Sequence, residues 1–403
     1  MTLVIAVRNV FRNRRRTLIS LLVIAIGLTI LSFVLGFVGE AIAAAKRSLA
    51  MELGAFQIGD PRVLDGKASG LEGLISPEAA ERALALVGDL PGVAGVTTQV
   101  RFAGLIGDET GSTLLLARGI VPEDCMTDYA CMIVAGRGLE GSDAREIVLG
   151  ERLAQRLGVG PGDRVNVATG TVSGTLNAAT VTVVGVVQYG EAQIEERLGF
   201  VSLGFAQRLL RTTGVERILV WLDDLDQSTI YAERLAQGFS AQGLPLAVRT
   251  WDELTPFFAS LQTFWSAFSG FTTLAVFVLV FFSVLEVLTI SFLERTREVG
   301  TVRALGASRR RVFTGFVTEG LVVGVVGGLC GAVAGAALAL LFNALGLTFV
   351  PPGGNMPQPI RVAIGTSTLV LPFLVALGAT FLSSLYPAGK NARLTVVEAL
   401  RSL

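Results

Sequence analysis

Apolar and mixed stretches alternate unevenly along this 403-residue chain: one long apolar run near the start, about 220 residues of ordinary polarity, then three more apolar runs. About 20 predominantly apolar residues suffice to cross ~30 Å of hydrocarbon. Four segments meet that length. Residues 17–39 carry no charge, 264–293 carry one acid (Glu286), 312–345 carry one acid (Glu319), and 362–386 carry none. Pro372 is expected to kink the last of these. The pattern predicts an integral membrane α-helical protein with four transmembrane helices and a large mixed α/β domain, residues 40–263, between spans 1 and 2. The first run invites a signal-peptide reading, but its apolar core exceeds the usual ~7–15 residues.

Within 40–263 the pattern is that of a soluble fold. Ser76-Pro77-Glu78 is a helix start, with Ser as cap and Pro at the first helical position. Strand-like runs follow at 93–106 and 113–120, and a strand-rich stretch at about 121–199 holds the turn signal Gly160-Pro161-Gly162-Asp163. Helix 205–211, strand 217–221, helix 227–239 and strand 245–249 complete the order. This suggests a split domain with a β-rich insertion over about 121–199. Cys125 and Cys131 fall inside it. In an oxidising compartment they are candidates for a local disulfide; the alternative is two buried thiols. Cys330, in the third span, reads as packing.

Composition agrees: 51% of residues are apolar and 16% charged, well below the roughly 25% of soluble domains. Charge placement then sets direction. Arg8, Arg12, Arg14, Arg15 and Arg16 stand before the first span with no acid. Arg295, Arg297, Arg303, Arg309, Arg310 and Arg311 fill the segment 294–311, and Lys390, Arg393 and Arg401 the tail 387–403. The loop 346–361 has only Arg361. Both termini and 294–311 are therefore expected in the cytoplasm, and the large domain and the loop 346–361 outside, across a bacterial inner membrane. The Pro- and Gly-rich 349–360 reads as a rigid outer turn. Residues 1–16 read as an amphipathic helix on the anionic inner leaflet, or as plain topogenic charge.

The chain has no histidine, which excludes His-based metal sites and Ser-His-Asp triads. Its three lysines, Lys46, Lys67 and Lys390, lie outside any Walker A pattern, whose lysine must reach the phosphates. No catalytic, metal or cofactor residue is expected in this chain.

Three segments carry a family resemblance: "AVRNVFRNRRRTLIS" at the start, "ERTREVGTVRALGASRRRV" at 294–312, and "YPAGKNARLTVVEALR" at 386–401. With one span, a large domain and three further spans, they resemble the ABC transporter permease family that includes MacB, LolC, LolE and FtsX. The resemblance covers the whole chain. It implies that 294–311 contains a coupling helix docking on a separate ATPase, with ATP and Mg2+ held by that partner, through Glu294, Arg295, Arg297, Glu298 and Arg303 and the apolar contacts Val299, Val302 and Leu305. It further implies two ATPase copies, a second permease subunit (identical or a paralogue), and a periplasmic adaptor or carrier. The expected action is mechanotransmission: extraction or extrusion of an amphipathic cargo such as a lipoprotein, lipid or hydrophobic compound. The alternative is an FtsX-like signalling subunit that activates a cell-wall hydrolase.

Two features of the spans go beyond topology. Gly320, Gly324 and Gly328, and likewise Gly327, Gly331 and Gly335, recur four apart, a spacing that lets helices approach closely, within one subunit or between two. Glu286 lies about two turns inside the second span, where an acid by default marks a function or a specific partner. The resembled family commonly has Asn there, so the acid is a departure. Glu319, nearer the end of its span, is expected to pair with an arginine.

Overall fold

The computed structural model describes residues 14–107, 111–122, 132–350 and 357–393. In chain order the helices used below are α1 (Arg14–Leu53), α2 (Pro77–Gly88), α3 (Glu151–Leu157), α4 (Leu203–Leu210), α5 (Ser228–Ala241), α6 (Pro256–Glu294), α7 (Thr296–Ala304), α8 (Arg309–Ala344) and α9 (Thr366–Arg393). The strands are β1 (Phe56–Gly59), β2 (Val93–Gly107), β3 (Ser112–Ile120), β4 (Ile133–Gly136), β5 (Glu146–Gly150), β6 (Arg164–Gly170), β7 (Leu176–Val187), β8 (Leu198–Ser202), β9 (Arg217–Leu222), β10 (Ala247–Thr250), β11 (Thr348–Phe349) and β12 (Gln358–Pro359). The chain divides into two compact units, one of 1–43, 260–347 and 359–403, the other of 44–259 and 348–358.

The first unit holds helices long and apolar enough to cross a membrane: α1, α6, α8 and α9, with window mean hydropathies of 2.8, 2.5, 2.2 and 2.0. Three outrun the apolar runs that announce them. α1 continues to Leu53 because no Gly or Pro interrupts it between Gly39 and Gly54. At 40 residues it is about 60 Å long. α6 starts at Pro256, eight residues before the expected span. α9 begins at Thr366 rather than 362 and carries Pro372 and Pro387 within one helix to Arg393, so residues 387–393 prolong the span. In the expected outer turn, β11 pairs with β12. Asn343 ties that loop back, donating to the Val362 carbonyl and accepting from its amide, both at 2.9 Å.

The unit's core is built from Ile24, Leu28, Val280, Leu288, Phe316 and Ala376. Glycine governs how closely α8 is approached. A Cβ on Gly320 would lie 2.8 Å from the Ser384 Cβ, and one on Gly328 2.7 Å from the Phe373 ring; Gly324 faces Thr380 in the same row. That row therefore seats α9. Cβ atoms on Gly327, Gly331 and Gly335 would meet Ile24, Leu28 and Ser32 at 2.9, 2.7 and 2.9 Å, so the second row seats α1. The structure thus places both rows inside one subunit. Cys330 points away from this packing: it is a free, exposed thiol.

The second unit joins an open sheet and a closed ring through one strand. β10, β1, β9 and the first half of β2 pair antiparallel in that order. The second half of β2 pairs with β3, and the sequence β2-β3-β8-β5-β7-β6 returns to β2, closing the ring. β4 adds to β7. Period-two alternation fills the ring with Phe102, Leu115, Ile147, Val167 and Val183, which share one core with Ile58 and Val220 of the sheet and with Val87 and Phe239 of α2 and α5. The ring draws in β2 and β3, so it starts near residue 100, not at 121 where the alternation placed an insertion. Ser76 caps α2, its Oγ accepting from the Ala79 amide at 3.2 Å. Glu216, 1% exposed, accepts from the Arg101 amide and guanidinium (both 2.8 Å) and from Arg217. Burial alone would raise its carboxyl, but the Arg101 hydrogen bonds and the Arg217 charge outweigh it and hold the group below the ordinary glutamate value. Cys125 and Cys131 lie outside the described residues, as do Arg8, Arg12 and Arg401.

Candidate functional site

The segment 294–311 folds as a short helix slung between two long ones. α6 stops at Glu294, Arg295 takes a non-helical conformation (φ −105°, ψ 7°), and α7 begins. Gly306 makes the return turn at φ +98°, a conformation that favours glycine. Ser308 then caps α8 by accepting from the Arg311 amide at 3.3 Å.

α7 has two faces. Thr296, Val299 and Gly300, at i, i+3 and i+4, are buried. Val299 joins the core of the membrane unit together with Phe316. Val302 and Leu305, 50% and 85% exposed, stand on the other face, with Glu294, Arg297 and Glu298 also exposed. Arg303 is half-buried. Arg295 turns inward. Its Nη1 donates to both Glu319 carboxylate oxygens (3.2 and 3.0 Å), its Nε lies 3.4 Å from Glu298, and the guanidinium rests over the Phe316 ring. Glu319 is 6% exposed, so this ion pair is largely shielded from solvent.

The expected contact set therefore divides. Val299 and Arg295 do not face outward: they pin α7 to the bundle, because a nine-residue helix must bury one side to stay folded. Val302, Leu305, Arg297, Glu298 and Glu294 remain presented. The pairing of Glu319 with an arginine across 24 residues is what the sequence anticipates, and Arg295 is that arginine.

In the second unit the end of α1 is gripped from several sides, which no local motif announces. Trp221 Nε1 donates to the Met51 carbonyl (3.1 Å), and Gln57 to that of Leu53 (3.0 Å). Glu52 accepts from the Tyr189 hydroxyl and from Arg118 (3.1 Å). Lys46 binds Asp226 at 2.6 Å and lies over the Trp251 ring. Trp251 in turn meets Phe258, early in α6, edge to face at 5.0 Å. These partners come from β1, β3, β9 and the segments between elements, up to 205 residues away. Burial pushes the Tyr189 hydroxyl well above its ordinary value, so it stays a donor.

Glu286 belongs to neither cluster. It is exposed on α6, opposite the buried Val276, Val280, Val284 and Leu288.

Comparison with known proteins covers both units. The MacB-like periplasmic core domain family matches residues 17–237, and the FtsX-like permease C-terminal family matches 270–396. The lipoprotein-releasing system transmembrane protein LolC of Xylella fastidiosa is 26% identical over 338 residues, 80% of this chain and 81% of that protein. The macrolide export ATP-binding/permease protein MacB of Hyphomonas neptunium is 34% identical over 119 residues, 30% of this chain and 16% of that protein. The crystal structure of the periplasmic region of MacB from Actinobacillus actinomycetemcomitans aligns with a TM-score of 0.38 at 15% identity, over 52% of this chain and 94% of that one.

Proposed function

Because this chain belongs to the family of FtsX-like permeases with a MacB-like periplasmic core domain, we propose that it is the membrane subunit of an ABC transporter whose partner ATPase docks on α7. The observation that carries this reading is the division of α7. One face is locked to the bundle by Val299 and by the Arg295–Glu319 pair, and the other presents Val302 and Leu305, which the described residues leave 50% and 85% exposed. A helix held this way passes a push from outside directly to α6 and α8. Apolar side chains on a cytoplasmic surface, ringed by charge, suit a protein interface better than water.

In this reading the termini and α7 lie in the cytoplasm and the α/β domain outside, as the arginine distribution supports. Two copies of the ATPase, carrying ATP and Mg2+, serve two permease subunits. α1 and α6 act as levers, since both are continuous helices of 40 and 39 residues. The grip of Trp221, Arg118, Tyr189 and Asp226 on the end of α1 then delivers that motion to the α/β domain. The cargo is an amphipathic molecule, with lipoproteins first because the relative aligned over most of the chain is a lipoprotein-releasing protein. A periplasmic carrier would receive it.

Val302→Asp combined with Leu305→Asp tests the docking face. Both positions point outward, so the protein should still insert. Co-purification of the ATPase should fall at least tenfold. Undiminished co-purification and transport would remove α7 as the docking element.

A further inference from the structure

One charge stands alone in this chain. From residue 320 to residue 389, through α8, the loop after it and most of α9, Arg361 is the only charged side chain. It is exposed and, among the described residues, has no hydrogen-bond or ion-pair partner. A guanidinium does not shed its charge, so it takes an acceptor from its surroundings.

The backbone on both sides of Arg361 is fixed, and so is its height in the bundle. The Ile360 amide donates to the Leu347 carbonyl at 2.8 Å, Asn343 brackets Val362, and the Ala363 amide donates to the Gly36 carbonyl of α1 at 3.0 Å. A Cβ on Gly36 would lie 2.6 Å from the Ala363 carbonyl oxygen and 2.7 Å from the Val362 side chain, so the strap 360–364 is seated directly on α1. Gly36 lies three residues inside the end of the uncharged run 17–39, about 4.5 Å along the helix axis. The next residue, Phe37, meets Trp265 edge to face at 6.4 Å, and Trp265 meets Phe264 and Phe268 at 5.6 and 5.8 Å. Tryptophan is favoured where hydrocarbon gives way to headgroups. Leu345, Leu347 and Ile364, close to Arg361 in the chain, are also exposed. Apolar side chains there suit the acyl boundary and not water.

We propose that the strap 360–364 lies in the membrane leaflet remote from α7, and that Arg361 binds the phosphate of a phospholipid headgroup. α8 separates the two ends, carrying the chain about 54 Å from α7 to this loop over 36 residues. The phosphodiester is the anion that phospholipids supply at this depth, and two of its oxygens match the fork of a guanidinium. The long arginine stem stays among apolar groups while its head reaches the phosphate. Because Asn343 and Gly36 hold the strap, a lipid held by Arg361 sets the depth of α1, α8 and the start of α9 together. This goes beyond the transporter reading and rests only on the four spans, not on the ATPase or the cargo.

The test uses the full chain in dodecyl maltoside, titrated with dioleoylphosphatidylglycerol, with bound lipid counted by native mass spectrometry. The first lipid should bind at least fivefold more weakly to Arg361→Gln, and Arg361→Lys should recover part of the loss. Dioleoylglycerol, which lacks the phosphate, should not distinguish Arg361→Gln from the parent. An unchanged phospholipid titration in Arg361→Gln would overturn the site. So would displacement of the lipid by equimolar inorganic phosphate, which would mean a soluble anion. A second measurement keeps the natural arginine, so a fold lost in Arg361→Gln does not silence the test. In nanodiscs of the same lipid, both membrane faces are open to water. There, with Cys125, Cys131 and Cys330 replaced by Ser, Ile364→Cys should react with a membrane-impermeant maleimide at least tenfold more slowly than Leu176→Cys, at an 80% exposed position of the α/β domain. Equal rates would put the strap in water and overturn the proposal.

Discussion

α8 and α6 are nearly equal in length and both strongly apolar, yet they are used in opposite ways. α8 is small-residued where it is touched: its glycines admit α1 on one side and α9 on the other until no further atom fits. α6 is large-residued where it is free, with phenylalanines standing off the bundle and an acid among them. Hydropathy does not separate the two, at 2.2 and 2.5. Side-chain volume and the setting of the single acid on each helix do. In lipid, where burial of apolar surface gives no preference for protein over acyl chain, close approach and polar satisfaction decide which faces meet.

The sharpest way to break this contrast is to fill a glycine on each helix. A Cβ at Gly331 would lie 2.7 Å from the Leu28 Cβ and 3.2 Å from the Ala25 carbonyl oxygen, whereas at Gly270 it meets nothing within 4 Å. Gly331→Leu should cost about 3 kcal/mol or more by overpacking and deplete the protein from the membrane fraction. Gly270→Leu should leave its level unchanged. Equal levels would mean that α8 is not held as described. Next come the acids. Glu319→Ala strands the Arg295 guanidinium in a largely shielded site and should lower the melting temperature by the equivalent of about 3 kcal/mol. Glu286→Ala, measured on detergent-solubilised monomer, should stay within about 0.5 kcal/mol of the parent. A reversed order would show that the outer face carries the fold.

The smallest effect sharpens the same contrast in the other unit, at the buried acid Glu216. The folded-state value of Glu216 is depressed, so its contribution is fully present above the ordinary glutamate value and is lost as pH falls through the lower folded value. Melting of the whole protein followed by tryptophan fluorescence should be level near neutrality and decline in the acid range. Glu216→Gln should flatten that decline while lowering stability at neutral pH. An unaltered acid profile would assign the loss to other carboxylates.

Much of this molecule was legible in its residues because lipid imposes a simple rule. Uncharged runs of 20 residues have few other uses. The loop 294–311 was legible as a short charged helix for the same reason. Which side of it faces out was not. Arg295 looks like any surface arginine until Glu319 and Phe316, 24 and 21 residues on, enclose it. Helix lengths were also hidden, since α1 passes from apolar to polar composition without a stop signal before Gly54. The ring was obscured by β2, whose 15 residues read as one strand but serve two sheets in succession. Local alternation reports which face is inside; it carries no record of the partner.

Gly54, the residue that ends α1, has a consequence for torsion. Its φ is +74°, and a side chain there would drive a Cβ to 2.7 Å from the Val220 carbonyl oxygen. On either side of it, Met51 is bound by Trp221, and the Ala55 amide by Val220 at 2.7 Å, so both contacts fall on β9. A helix that meets a strand through one glycine, with no slack, is keyed to it the way a shaft is keyed to a wheel. The end of α1 therefore cannot turn about its own axis without displacing β9.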